Sequence, residues 1–202
     1  MGGIQVADAL VFDEATHRYT VGGKVLPGIT SVLKMTGFVD DRWFTQEARD
    51  RGTATHRACW FMAEGELDWA TVDPEIRPRV EAFGRFLEEH KPTLLFAEKP
   101  LHSDIYRFAG TFDFVFDVPA LGICIIEVKT GAAGLAAMLQ TAGQKVLIEE
   151  RMGFKGIKRF AFELTAEGRY KFVPHLDLGD KLMFLNAVAM VHRRINAGEL
   201  KI

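Results

Sequence analysis

Three residues near the middle of the chain, Asp113, Glu127 and Lys129, have the types and spacing for metal-assisted hydrolysis. Two neighbouring carboxylates repel each other, and a divalent cation such as Mg²⁺, which takes oxygen ligands, relieves that repulsion. A lysine two residues beyond the second carboxylate could orient or deprotonate a water, or neutralise a phosphoryl oxygen. The alternative is that Glu127 and Lys129 form a surface ion pair on an edge strand.

Hydrophobic alternation predicts a strand around the first carboxylate. Between Phe108 and Asp117, the three residues Phe112, Phe114 and Phe116 recur with a period of two, which is typical of a strand. We expect the phenylalanines to face a core and Asp113 to point the other way.

A second strand is predicted from Ile123 to Lys129, after a short turn. Its residues divide into two faces, which are Cys124, Ile126 and Val128 on one side and Ile125, Glu127 and Lys129 on the other. A hairpin of the two strands would bring Asp113 to the same rim as Glu127 and Lys129. Because burying charge is costly unless it is paired or bound to metal, this placement indicates a site.

This stretch resembles the PD-(D/E)xK nuclease superfamily, specifically its RecB-like branch of phage and recombination exonucleases. The G-x-x-D of the family matches Gly110 to Asp113, and its (D/E)-x-K-T-G matches Glu127 to Gly131. The histidine that follows a glycine on an upstream helix matches Arg51 to His56. The Q-x-x-x-Y helix is matched in part by Gln140 to Gln144, where Gln144 replaces the tyrosine. The resemblance covers most of the chain.

The resemblance implies an α/β fold with a restriction-endonuclease-like PD-(D/E)xK core, in which helices flank a mixed central β-sheet. We expect a single domain over residues 1–202, with the catalytic strands and helix in residues 93–164. Residues 1–37 would form a small N-terminal β-hairpin elaboration.

The resemblance also implies metal-dependent hydrolysis of DNA phosphodiester bonds, as an exonuclease in phage recombination or repair that leaves 5′-phosphates. One or two Mg²⁺ or Mn²⁺ ions would be held by Asp113, Glu127, His56 and the backbone carbonyl of Val128, and Lys129 would act on the water. The alternatives are a structure- or sequence-specific endonuclease and a DNA-end-binding module that does not cleave. The expected partners are DNA and a single-strand annealing or other recombination protein, and the resemblance is compatible with a homo-oligomer.

His56 is predicted to lie on a helix from Asp40 or Asp41 to Gly65. A stripe at three- and four-residue spacing includes Ala48, Gly52, His56, Trp60 and Ala63. A histidine on an apolar stripe is commonly a satisfied core residue. Here its spacing from Gly52 and the downstream carboxylates favour a metal ligand, and because imidazole is unusual on Mg²⁺, they suggest Mn²⁺ as well.

Glu98 ends a predicted strand that begins at Thr93, with Leu94 and Phe96 on the same face as Glu98. The RecB-like branch often has an acidic residue here, which would bind a second metal or a metal-bound water. The alternative is a strand-end glutamate in solvent.

The segment from Gly134 to Glu150 is predicted to be a helix on which Gln140 and Gln144 are neighbours. Because an amide both donates and accepts, these residues suit a DNA phosphate, a base edge or an active-site carboxylate. A polar helix surface is the alternative, and it applies more strongly to Gln144. We assign Gln140 to the catalytic group, and both glutamines to DNA contact.

Two further elements complete the prediction. The strand from Lys158 to Leu164 is expected to form a hairpin with Tyr170 to Val173. Asp180 is expected to cap the last helix, with a stripe that comprises Leu182, Leu185, Ala189, His192 and Ile195.

The net charge of −2 excludes a generally basic nucleic-acid coat. DNA contact must then come from local residues, for which Arg51, Arg57 and Lys158 are the candidates; solvated surface charge is the alternative. The first residues lack a signal peptide and no apolar run could span a bilayer, so we expect a cytoplasmic protein without membrane contact. Two cysteines on different elements predict reduced thiols, and they are too few for an iron–sulfur cluster.

Overall fold

A computed structural model describes residues 9–40, 42 and 45–202. Within them the strands are β1 (Leu10–Asp13), β2 (Arg18–Val21), β3 (Lys24–Leu26), β4 (Thr93–Ala97), β5 (Pro100–His102), β6 (Ala109–Thr111), β7 (Phe114–Val118), β8 (Gly122–Lys129), β9 (Lys158–Leu164) and β10 (Tyr170–Pro174). The helices are α1 (Ile29–Met35), α2 (Gln46–Glu64), α3 (Arg77–His90), α4 (Leu135–Met152) and α5 (Gly179–Asn196).

A five-stranded mixed sheet in the order β10-β9-β8-β7-β4 forms the centre of the fold. Strands β7 and β8 form the predicted antiparallel hairpin, and Phe114 pairs with Ile126 in it. Strand β8 runs parallel to β9, and the crossover between them is α4, because parallel neighbours need a long connection. The predicted hairpin of β9 and β10 is also present.

Helices cover both faces of this sheet. Helices α1, α4 and α5 pack on one face around Ile125, Leu139 and Phe184. Helices α2 and α3 pack on the other face, where Phe83 and Phe162 are fully buried. The structure therefore confirms an α/β fold with a mixed central sheet between helices.

The predicted strand from Phe108 to Asp117 is interrupted at Asp113. It is divided into β6 and β7, and the interruption reverses the alternation. Phe112 packs with the α4 and α5 side, whereas Phe114 and Phe116 pack with the α2 and α3 side. The expectation that all three phenylalanines share one face was wrong, because the chain bends where Asp113 leaves the ladder.

A β-bulge likewise divides the faces of β4. The register shifts between Leu94 and Phe96, so Leu94 packs on the α3 side and Phe96 on the α4 side. An extra residue in one strand moves the following side chains to the other face. The prediction that Leu94 and Phe96 share a face was wrong for this reason.

Helix α2 begins at Gln46 rather than at Asp40. The Thr45 hydroxyl caps it by accepting from the Ala48 amide at 3.2 Å, whereas Asp40 precedes the helix and Asp41 lies outside the described residues. The helix ends at Gly65 in the left-handed conformation, as predicted. Its buried residues are Thr55, Ala58 and Cys59.

The last helix differs more from its prediction. Asp180 does not cap α5, since it is buried and pairs with Arg159 at 2.8 Å. The buried stripe of α5 is Phe184, Ala187, Val188 and Val191, whereas Leu182 is 65% exposed.

The N-terminal elaboration is a three-stranded antiparallel sheet in the order β1-β2-β3. Gly22 and Gly23 both have positive φ in the β2–β3 turn, which matches the predicted hairpin. Its attachment to the core includes a hydrogen bond between the Tyr19 and Thr111 hydroxyls at 2.8 Å. None of the helices in the described residues is long and apolar enough to cross a membrane.

Candidate active site

Glu127 and Lys129 lie at the end of β8, beneath α4. Lys129 Nζ donates to Glu127 Oε1 at 2.9 Å and to Gln140 Oε1 at 3.1 Å. Gln140 Nε2 donates to Glu127 Oε1 at 2.6 Å. Because β8 has neighbours on both sides and Glu127 is only 3% exposed, the pair is not a surface ion pair on an edge strand.

Gln144 requires a revised role. It is 1% exposed, and its Nε2 donates to Glu127 Oε2 at 2.8 Å and to the Thr111 carbonyl at 3.3 Å. A buried amide cannot contact DNA, so the structure does not agree with the prediction that Gln144 contacts DNA or with the alternative of a polar helix surface. Gln144 instead holds the second carboxylate oxygen of Glu127, which is the carboxylate alternative raised by its sequence position.

Asp113 occupies the break between β6 and β7. Its Oδ2 accepts from the Val128 amide at 2.8 Å, and its Oδ1 lies 3.2 Å from His56 Nδ1. The break therefore turns Asp113 toward both β8 and α2. The structure brings together Asp113, Glu127, Lys129 and His56 as predicted, and a ligand role of the Val128 carbonyl stays a prediction.

The charges in this group act strongly on one another. Burial and the charge of Asp113 raise the pKa of Glu127. Burial also opposes ionisation of Asp113, but His56 and Lys129 outweigh it and the pKa of Asp113 is lowered. Burial opposes protonation of Lys129 and His56, yet the carboxylates Glu127 and Asp113 prevail and raise the pKa of both.

Glu98 follows β4 and lines the same cleft. It has a positive φ of 46°, and its amide donates to the Phe112 carbonyl at 2.8 Å. Desolvation in the cleft wall and the charge of Asp113 raise the pKa of Glu98 to about 7. Glu98 is exposed directly after β4, as the alternative of a strand-end glutamate in solvent has it, and the charge of Asp113 acts on it.

A cleft with a volume of about 920 Å³ is lined by His56, Glu98, Asp113 and Gln140, whereas Glu127 and Lys129 are not among the described residues that line it. Helix α2 lines it with two rows of residues at four-residue spacing. One row is Gly52, His56 and Trp60, and the other is Thr53, Arg57 and Phe61. The other walls include residues of β1 and β2, the start of α1, and Glu98, Thr111, Asp113 and Gln140.

The three basic residues predicted to contact DNA occupy different places. Arg57 lines the cleft. Arg51 pairs with Glu75 at 3.0 Å and is not among the described residues that line the cleft. Lys158 pairs with Cys124 at the far end of β8 from Glu127, so the fold does not bring it to the site.

The residues fit a divalent cation by their chemistry. Among the described residues, no three His, Cys, Asp or Glu side chains form a metal-holding group as they stand, and Glu127 is turned to Lys129, Gln140 and Gln144. Three carboxylates nevertheless act on one another here, since burial first and the charge of Asp113 second raise the pKa of Glu98 and of Glu127. Oxygen donors with excess negative charge are what Mg²⁺ and Mn²⁺ bind.

Two supports of the site were missed in the sequence. Glu163 is buried on β9, opposite Lys129, and accepts from the Ala133 amide at 2.7 Å, which holds the loop after β8. Thr111 connects Gln144 to Tyr19. A charged residue inside the apolar run of β9 was the available signal for Glu163, whereas Thr111 carried none.

Comparisons with known proteins show the fold alone. No protein-family model matches the chain, and no curated protein matches it. Among solved structures, the chain is similar to a crystal structure from Eubacterium rectale that is named "Putative exonuclease". The sequences are 13% identical, the TM-score is 0.50, and the match covers 89% of this chain and 77% of the other.

Proposed function

We propose that this protein is a metal-dependent nuclease that hydrolyses DNA phosphodiester bonds. The observation that carries the proposal is the contact group of Asp113 with His56 and of Glu127 with Lys129, joined through the Val128 amide and bordering one cleft. The PD-(D/E)xK pattern of the sequence and the shared fold with a protein named as an exonuclease support it.

Asp113, Glu127 and His56 would hold Mg²⁺ or Mn²⁺, with Glu98 as a candidate for a second ion. When bound, the metal would supply Lewis acidity and a nucleophile at neutral pH. The raised pKa of Lys129 keeps its ammonium group charged. Held by Glu127 and Gln140, the ammonium group can donate a further hydrogen bond to the attacking water or to a phosphoryl oxygen.

The protein would act as an exonuclease rather than an endonuclease, leave 5′-phosphates, and serve phage recombination or repair. The name of the similar structure supports exonuclease activity, and the remaining points rest on the sequence resemblance. Binding of DNA ends without cleavage is the rival from another class.

The test is digestion of linear and closed circular DNA with Mg²⁺, with Mn²⁺ or with EDTA. We expect linear DNA to be degraded only with metal, and Lys129→Ala to lose activity by at least roughly a hundredfold. Lys24→Ala is the matched control, because Lys24 is an exposed strand lysine on β3 that does not line the cleft. Binding without cleavage by the wild-type protein would refute the proposal, and cleavage of the circle would favour an endonuclease.

A further inference from the structure

Aromatic rings line the cleft on two sides of the carboxylates. On α2 the rings of Trp60 and Phe61 stack with their centroids 5.3 Å apart. Across the cleft, the ring of Phe12 stacks on Tyr19 at 4.6 Å, and His17 meets Phe12 edge-on at 5.2 Å. All of these residues belong to the cleft lining.

The Phe61 ring is not explained by core packing. It is half-buried, and none of the hydrophobic clusters formed by the described residues includes it. Arg57 lies over its face with Cζ 5.6 Å from the ring centroid. Arg57 and Phe61 therefore offer an aromatic ring with an adjacent cation in the cleft, and Arg57 directly follows His56 on α2.

The charge of the cleft argues against a duplex ligand. Proteins that hold duplex DNA neutralise many phosphates with Lys and Arg. Among the described residues that line this cleft, Arg57 is the one Lys or Arg side chain, and Glu14, Glu98 and Asp113 are acidic. Affinity must then come largely from the bases, whose faces are accessible only where they are unpaired.

We propose that the cleft takes single-stranded DNA, with unpaired bases stacked on Trp60 and Phe61 and on the Phe12 side of the opposite wall. Arg57 would contact a phosphate beside the stacked base. The inference rests on the proposed nuclease function, since it names the substrate of the same site. It predicts that duplex DNA is a poor substrate unless its end is unpaired.

The test is fluorescence anisotropy with three labelled ligands of equal length. Binding is measured in buffer that contains Ca²⁺, and a gel verifies that the DNA is still intact after the measurement. The ligands are single-stranded DNA, the blunt duplex, and a strand of abasic sites that has the phosphates without the bases. We expect the single strand to bind about tenfold or more tightly than either of the others.

Variants locate the effect on α2. Phe61→Ala should weaken binding of the single strand about tenfold and leave binding of the abasic strand unchanged, and Trp60→Phe should retain most of the affinity. Trp60 also packs partly on the α2 and α3 core, so Phe61→Ala is the deciding variant. Trp69→Ala is the matched control, since Trp69 is a partly exposed tryptophan that does not line the cleft.

Three results would each overturn the inference. They are equal affinity for the duplex and the single strand, equal affinity for the abasic strand and the single strand, and unchanged binding of the single strand by Phe61→Ala. These results are separable from failure of the proposed function, because binding is measured without cleavage. A protein that prefers the single strand but never cuts it refutes the nuclease proposal alone. A protein that cuts duplex and single strand equally refutes the stacking inference alone.

Discussion

Glu127 accepts hydrogen bonds at both carboxylate oxygens, and the two glutamines of α4 divide this work. Gln140 binds Oε1 from the cleft side, whereas Gln144 binds Oε2 from within the protein. Because a hydrogen bond to a charged group contributes about 1.5–3 kcal/mol, each glutamine fixes the orientation of the carboxylate. Gln140 lines the cleft and Gln144 is buried, so we expect Gln140 to affect DNA binding and Gln144 to affect the stability of the site.

Gln144→Ala is therefore expected to weaken metal binding and to lower the free energy of unfolding, because it leaves Glu127 Oε2 buried without this donor. The loss of stability should be about 1–3 kcal/mol. Mn²⁺ titration calorimetry and urea unfolding measure the two effects.

Gln140→Ala is the matched comparison, since Gln140 also binds Glu127 but lines the cleft. We expect it to raise the DNA concentration for half-maximal cleavage up to roughly tenfold, with a smaller loss of stability than Gln144→Ala. If Gln144→Ala changes DNA affinity alone, its assignment to the buried support of Glu127 is wrong.

His56→Ala should lower the rate of cleavage and weaken metal binding, with partial recovery at high Mn²⁺. The reason is the 3.2 Å contact between His56 Nδ1 and Asp113 Oδ1, which places the imidazole among the candidate ligands. Rates measured across a Mn²⁺ titration provide the test. A variant that unfolds without any change in metal affinity of its folded fraction would make His56 a core residue.

At the scale of elements, the contact between α4 and α5 determines where the glutamine helix lies. A Cβ added at Gly143 would stand 2.7 Å from the Phe184 ring, which is closer than carbon atoms pack. Gly143→Ala should destabilise the protein by about 1–2 kcal/mol, because overpacking outweighs the gain in helix propensity. Gly131→Ala is the control, since its added Cβ meets nothing within 4 Å.

Urea unfolding of both variants measures this effect. If the urea midpoint of Gly143→Ala is equal to or higher than that of the wild-type protein, Phe184 can move aside without a loss of stability. Activity should fall with stability only if the displacement reaches Gln140 and Gln144, which lie within one turn of Gly143 on the same helix.

The sequence predicted elements better than it predicted their faces. Apolar runs located β7 and β8 and their pairing, because strands that are buried on both faces need apolar residues on both faces. They did not reveal the break at Asp113 or the bulge in β4. The candidate-site residues still lie close together, because Phe114 pairs with Ile126 and so places Asp113 near Glu127.

The prediction of which helix residues are buried was wrong where two polar residues are buried against each other. Asp180 was predicted to be a cap, but it is buried against Arg159. Gln144 was predicted to contact DNA, with a polar helix surface as the alternative, because its buried partner Glu127 is distant in sequence. In the sequence alone, a charged or amide side chain whose partner is distant along the chain cannot be distinguished from an exposed side chain. Only the fold shows which polar residues are satisfied internally.

At the scale of the whole molecule, a buried histidine connects stability to pH. His175 is buried, with Nδ1 2.9 Å from the Thr141 hydroxyl and no partner for Nε2 among the described residues. Burial and the nearby Arg159 lower the pKa of His175 to about 4. The unfolded chain therefore binds this proton more readily than the folded protein, and stability is lost as the pH falls from about 6.5 toward 4.

Between pH 7 and pH 5 the loss from His175 should be about 2 kcal/mol. His175→Gln cannot take up this proton, so its unfolding free energy should fall less over the same range. Urea unfolding at several pH values gives both curves. Parallel curves for the two proteins would show that His175 is protonated equally in the folded and unfolded states.

The most direct test of the proposed function is Mn²⁺-dependent cleavage of an end-labelled oligonucleotide by the wild-type protein and by Glu127→Gln. This variant removes the charge of Glu127, keeps its shape, and can be shown to be folded by its circular dichroism. We expect cleavage by the wild-type protein that EDTA abolishes, and a loss of at least about a hundredfold in the folded variant. Cleavage by Glu127→Gln at the wild-type rate, or cleavage by the wild-type protein in EDTA, would contradict a metal-dependent nuclease built on this carboxylate.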